Sequence, residues 1–421
     1  MNSAISKFCR NLLLSGVVCL VLSVSGQSAH PQDFAENLSP DQMEALALRD
    51  TLYYKFEEWF KRFQNRIEKL EASPDSLEKK MNLLQANFIR AGLKAEFTHV
   101  LGFSSNYRIK EVDEDFIRYS SIAKKMAEEL LDREDLDGKQ RASVYFYLGA
   151  SEGYLGIFQY GAGSFLSALI NGWKADNHLE KALEMDPDLA DAHLGLGIYR
   201  YGSSRLGGFG NFILQGGRDL RLEGLRHVER SLKTENASRP LAMKTLIWFY
   251  ISEQLNPENK NLPQDDPLSP AKCRTRTLEL LDEYELTYFK NPPDKNFIGN
   301  KGLSMLKAIQ FSLDGKYRPA REEFEKVLRI ASHLEQTKGY PINPQLADTV
   351  KEAIKFCDLM LMQPGMEMEA ANIASCSKVN DQIEFIENGG SMVQYNSKKI
   401  RKDIQDVFYN RLKDLSRQLK C

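Results

Sequence analysis

Residues 178–197 read HLEKALEMDPDLADAHLGLG, and with Ala175 ahead of them they place Ala175, Leu179, Ala182 and Pro187 at successive steps of four, three and five. Gly197 follows ten residues after the proline. Steps of four and three return a side chain to the same helical face, so the first three residues form one narrow stripe. Small side chains on such a stripe let a second helix approach closely, and a proline closes the unit because it cannot continue a helix. The stretch therefore predicts closely nested helices built as a repeating unit.

A repeat is visible directly. GIFQYGA at 156–162 and GIYRYGS at 197–203 align without gaps at an offset of 41, and Leu155 matches Leu196 just upstream. A fixed offset of this size is the mark of stacked supersecondary units. Gly315–Ala320 (GKYRPA) followed by Phe324 and Val327 repeats the steps of four and three, with Leu306 and Phe311 supplying a first helix. Leu241–Leu255 and Arg276–Phe289 flank the proline-rich loop Asn256–Pro270 as a third helical pair, ending at Asn291-Pro292. Such pairs bury a continuous core only when several are stacked.

The remainder is also helical, because no stretch beyond residue 38 sustains the alternation of a strand. The expected fold is all-α, an α-solenoid of helical hairpins with flanking N- and C-terminal helices. Its expected regions are 1–28, 39–136, 137–340 and 345–421. Ser39-Pro40-Asp41-Gln42 supplies an N-cap, a first-turn proline and a capping box. These open one long helix with Leu52, Phe56, Trp59, Phe63, Ile67 and Leu70 in a single stripe, ended by Ser73-Pro74. A later helix from Asp113 to Leu131 turns Phe116, Ile117, Ala123, Met126, Ala127 and Leu130 inward, and Gly339–Pro344 is a second linker. The last helix, Lys398 to Leu419, carries Ile400, Ile404, Phe408, Leu412, Leu415 and Leu419 on one side.

On Leu148-Gly149, LEKALEMDPDLADAHLGLGIYRYG at 179–202, QGGRDLRLEGL from Gln215 and YFKNPP from Tyr288, the chain resembles the tetratricopeptide-repeat (TPR) proteins, and among them exported bacterial members with a long glycine-rich first unit. The likeness covers about residues 140–335. It implies an α-solenoid that binds a protein or peptide partner without catalysis of its own. The chain departs from the general pattern by about seven extra residues between Gly156 and Ala175 and by Arg200 where a tyrosine is usual.

The aligned segments also supply the candidate binding residues Phe158, Tyr160, Tyr199, Arg200, Tyr201 and Arg205. Either they line a concave face, with stacking rings and a cation for a peptide carboxylate or main chain, or they pack as core. Glu152 and Arg200 are a candidate buried pair. Residues 144–173 hold a single formal charge, Glu152, among Gly149, Gly153, Gly156, Gly161 and Gly163. The expectation is that these glycines mark close helix contacts in a folded domain and not a membrane span.

Other chemistries find no support in the sequence. There is no HExxH, GxSxG or Walker loop, and the six histidines lack ligand spacing, so neither a metal nor a cofactor is expected. Gln215–Arg218 is either an anion-binding helix start or a bare turn. With 56 Lys+Arg against 58 Asp+Glu the chain has no basic excess for nucleic acid. The C-terminal stretch from Ser391 is locally basic, either a solvated face or a contact for an envelope or membrane surface. The start, MNSAISKFCRN then LLLSGVVCLVLSVSG, has the cationic and apolar parts of an export leader, so a periplasmic location is expected. Cys273, Cys357, Cys376 and Cys421 then either form two disulfides, with three possible connectivities, or some of them stay free and buried. Two further readings remain: an envelope scaffold docked on a membrane-associated complex, and a hydrolase using Glu152.

Overall fold

The computed structural model describes residues 38–102, 109–162, 164–206, 214–234, 236–361, 369–392, 398–419 and 421; the expected leader at 1–28 lies outside them. Every extended element among the described residues is helical. In chain order the α-helices are α1 (Pro40–Thr51), α2 (Phe56–Glu71), α3 (Leu77–Gly102), α4 (Lys110–Leu131) and α5 (Gly138–Gly161). Next come α6 (Phe165–Met185), α7 (Ala190–Leu206), α8 (Arg221–Ser231), α9 (Arg239–Leu255) and α10 (Pro270–Tyr288). The last five are α11 (Lys301–Leu313), α12 (Tyr317–Lys338), α13 (Pro344–Leu361), α14 (Glu369–Glu387) and α15 (Lys398–Leu419).

Local chemistry sets several of these boundaries. The capping box at Ser39 forms, with Gln42 N donating to Ser39 Oγ and Ser39 N to Gln42 Oε1. A second box, Asp137 with Gln140, opens α5. Gly339 at φ 67° stops α12 in the left-handed conformation that a side chain resists.

One expected helix is broken. The stripe from Leu52 to Leu70 is split by a turn at Leu52–Lys55, where Tyr54 takes φ 63°. Distant groups hold this turn. Tyr54 Oη accepts from Lys301 N at 2.6 Å, and Tyr54 O accepts from Lys338 Nζ at 2.8 Å. Asn300 Nδ2 donates to Leu52 O at 2.9 Å, and Tyr53 Oη donates to Tyr288 O. With Tyr340 Oη also donating to Tyr54 O at 3.3 Å, five tertiary hydrogen bonds here outweigh the helical periodicity and the cost of a left-handed aromatic residue.

Residues 44–421 form one compact unit. Each helix from α2 to α15 packs on the next in sequence, and the odd-numbered helices α3, α5, α7 and α9 additionally each pack on the following odd one. No comparable packing joins even-numbered helices among the described residues. Helices α3, α5, α7, α9 and α11 thus form one row, and each even-numbered helix between them packs on both of its neighbours in sequence. In five even-numbered helices the same buried spacing recurs: Ala123–Ala127–Leu130, Ala175–Leu179–Ala182, Gly224–Val228–Ser231, Cys273–Thr277–Leu280 and Ala320–Phe324–Val327. One hydrophobic core joins Leu52 and Tyr53 to residues from Leu194 to Leu415, and a second gathers Tyr54 and Phe56 with Ile330, Leu334 and Tyr340. Ile117, expected inward, lies at the surface instead.

The last helix folds back. α15 packs on α7, α9, α13 and α14, burying Ile404, Phe408, Leu412 and Leu415. Arg411 donates to Ser312 O and Leu313 O and so ties α15 to the carbonyl end of α11. A disulfide joins Cys376 on α14 to Cys421, while Cys273 and Cys357 are free and buried. Burial pushes both free thiols up to about 12. Of the alternatives open in the sequence, the structure holds one bridge and two core thiols.

Candidate docking site

The α5–α6 hairpin is drawn together by small residues. A Cβ on Gly149 would lie 3.1 Å from Ala175 O, and one on Gly156 3.3 Å from Ala168 O. Gly149 and Gly156 therefore let the helix backbones nearly touch, as expected, while Gly153 is in ordinary contact with Ala175 and Gly163 lies outside the described residues. No described helix is long and apolar enough to cross a membrane.

Close nesting uses only one side of α6. At 100° per residue, Phe165, Leu166, Ile170 and Trp173 fall within an arc of about 140° opposite the buried Ala175–Leu179–Ala182 stripe. These four side chains are exposed, Leu166 by 78% and Trp173 by 58%. Ile157 and Tyr160 at the end of α5 join them, with the Tyr160 ring edge-on to Phe165 at 5.6 Å. Six large apolar side chains thus share one hairpin tip with no formal charge from Gly153 to Trp173. Single exposed hydrophobics are ordinary, but a contiguous cluster marks an interaction surface.

The sequence-predicted binding residues are dispersed. Tyr160 is at the tip, and Phe158 is half-buried against Phe116. Tyr199 lies against Gly172 with its hydroxyl enclosed. Tyr201, although aligned with Tyr160, is 1% exposed, stacked on Phe249 at 3.8 Å. Arg200 points between α6 and α8, pairing with Asp176, Glu180 and Glu223. It does not meet Glu152, whose two oxygens face Lys124 at 3.5 Å and His178 Nδ1 at 2.7 Å. The expected Glu152–Arg200 pair is therefore corrected: Glu152 is held by groups of α4 and α6, and Arg200 by carboxylates of α6 and α8.

Tyr201 and Arg205 belong to a buried polar cluster. Glu253, 0% exposed, accepts from Tyr201 Oη at 2.8 Å, Arg221 Nη1 at 2.8 Å and Asn259 Nδ2 at 2.7 Å. Arg205 donates through Nη2 to Asp403 of α15 at 2.9 Å and lies 3.9 Å from Glu253. A buried carboxylate is tolerable only with such partners. The cluster knits α7, α8, α9 and α15 together and leaves Tyr201 and Arg205 no free face for a peptide.

A second polar chain links α7 and α8. His193 Nε2 lies 2.9 Å from Pro187 O, which only accepts, so this nitrogen carries the proton. His193 Nδ1 then accepts from His227 Nδ1 at 2.8 Å, and His227 Nε2 faces Arg200 Nη1 at 3.5 Å. Both imidazoles are neutral in this arrangement. Burial, reinforced by His193 and Arg200, lowers His227 to about 4. Gly216 and Gly217 both take positive φ, so the Gln215–Arg218 segment is a turn, and α8 begins beyond it at Arg221.

The exposed residues Ile157, Phe165, Leu166, Ile170 and Trp173 were not singled out in the sequence. The signal was an apolar arc on the side of α6 away from its small-residue stripe, which by itself reads equally as core. No protein-family model matches the chain, and no curated protein aligns with it.

Proposed function

We propose that this chain is an exported, non-catalytic scaffold of the tetratricopeptide type that docks onto another component of the cell envelope through the α5–α6 tip. The single observation that carries this reading is the uncharged cluster of six exposed apolar side chains on a hairpin whose other faces are closely packed. The row of odd-numbered helices and the spacing recurring in five even-numbered helices support the repeat assignment. The apolar leader in the sequence supports export.

Docking at the tip, and not along the odd-numbered helices, follows from what already covers them. α15 lies on α7 and α9, and Lys244 of α9 pairs with Glu96 of α3 at 2.7 Å. Tyr201 and Arg205 are spent on Glu253 and Asp403. A hydrolase built on Glu152 gains little support, because that carboxylate is 1% exposed with both oxygens engaged. Cell fractionation tests the proposal. The wild-type chain is expected with the envelope, and Leu166→Glu/Trp173→Glu is expected to be released from it while staying folded. Identical fractionation of the two proteins would end the reading.

A further inference from the structure

Resting on the assignment of the α5–α6 tip as the docking surface, we infer that its partner is the lipid bilayer itself, entered to interfacial depth by the hairpin end. The order of chemistry along α6 carries this choice. Phe165 and Leu166 lead, next to Tyr160 from α5; Ile170 follows; Trp173 comes last, and Lys174 is the first charge. From Phe165 to Trp173 the helix rises about 12 Å at 1.5 Å per residue. That sequence of aliphatic, aromatic and cationic groups matches the passage from acyl chains through the headgroup level to water.

A protein partner would find few polar and no charged handles along this stretch, beyond Ser164, Ser167 and the Tyr160 hydroxyl. Protein interfaces carry about one hydrogen bond per 100–200 Å² inside a polar rim, with Arg prominent among the residues that dominate affinity. Among the tip's polar side chains, Gln159 already accepts from Asn171 at 2.8 Å, and no ionic group lies between Gly153 and Trp173. A bilayer requires only apolar area and an interfacial ring. The tip is also built not to collapse inward, since Gly156 and Ala168 hold the two backbones in contact beneath it. Because no tip residue is charged, the binding is apolar in origin. It needs no anionic lipid and is insensitive to salt, unlike a contact through the basic end of the chain.

The protein supplies its own reporter. Of Trp59, Trp173 and Trp248, only Trp173 is exposed. The full chain is titrated with phosphatidylcholine vesicles while tryptophan emission is followed, and the titration is repeated with lipids brominated on their acyl chains. Emission from Trp173, absent in Trp173→Phe, is the readout, because it reports the tip and not the apolar stretch at 12–26. A blue shift and bromine quenching are expected, unchanged between low and high salt. Leu166→Glu and Phe165→Ser should each weaken the transition about tenfold or more, in line with the burial of one large apolar side chain. Leu286→Glu, an exposed position on α10, should leave it unchanged. Absence of a shift at millimolar lipid overturns the inference, as does a shift that requires anionic lipid and disappears in salt. A shift that depends on protein concentration without lipid would instead identify a second copy as the occupant. If vesicles fail while envelope fractionation still depends on Leu166 and Trp173, the lipid assignment falls and the docking role stands.

Discussion

Gly197 of α7 and Gly224 of α8 cross so closely that neither has room for a methyl group. A Cβ on Gly197 would lie 2.7 Å from Gly224 O, and a Cβ on Gly224 would lie 2.8 Å from Gly197 O. Both obstacles are backbone, which cannot rotate aside. The crossing brings His193 to His227 and sets Arg200 among three carboxylates.

Gly197→Ala and Gly224→Ala should therefore each destabilise the fold by about 1–3 kcal/mol or more, the range for overpacking. Gly202, also within α7, is open: a methyl group there would have no neighbour within 4 Å. Gly202→Ala should accordingly be neutral or stabilising by up to about 1 kcal/mol. Urea unfolding of the three variants checks the contrast.

Tyr160 and Tyr201 occupy matching places in the repeat but opposite environments. Tyr201→Phe leaves Glu253 short of a donor and should cost about 1–3 kcal/mol. Tyr201→Ala also empties the space against Phe249 and should cost about 3–5 kcal/mol. Tyr160→Ala should change stability by less than about 0.5 kcal/mol, as for other exposed sites. Equal melting temperatures for the two alanine variants would contradict the placement of Tyr201.

The His193–His227 chain predicts an acid limb in stability. Both imidazoles have lowered pKa values in the folded protein, burial being the main cause. The unfolded chain then binds more protons, so stability is fully present above the ordinary value of 6.5 and falls as pH drops toward about 4. Protonation of His193 also turns the Nδ1–Nδ1 hydrogen bond into two opposed donors, and protonation of His227 sets an Nε2–H against the Arg200 guanidinium. Denaturant midpoints measured from pH 7 to pH 4 should decline, and His227→Gln should flatten the decline.

The bridge between Cys376 and Cys421 closes a 45-residue separation around α15. Chain entropy for such a loop gives a stabilisation of roughly 4 kcal/mol as an upper figure. Cys376→Ser should lower the unfolding midpoint accordingly, while α15 keeps its place through Arg205–Asp403 and the Arg411 contacts. Hydrogen exchange of α15 amides tests the second half of this expectation. Cys273 and Cys357 should react with a thiol reagent only after unfolding.

What the sequence determined by itself was local: helical periodicity, the small-residue stripe Ala175–Leu179–Ala182, the glycines at close crossings and the final helix from Lys398 to Leu419. These signals are local because a helix repeats every 3.6 residues and a missing side chain is visible in the sequence. Only the tertiary structure decided which apolar surface is covered. α6 has two such faces: small side chains mark the one against α5, but nothing in the sequence tells whether the one that carries Leu166 and Trp173 is covered as well. Likewise Tyr54 leaves the helical conformation through bonds to residues near 300 and 340, and Tyr201 is buried by Phe249 and Glu253 from α9. Neighbours that far apart along the chain leave no periodic trace, because their contact depends on how the helices stack and not on the local pattern of either segment.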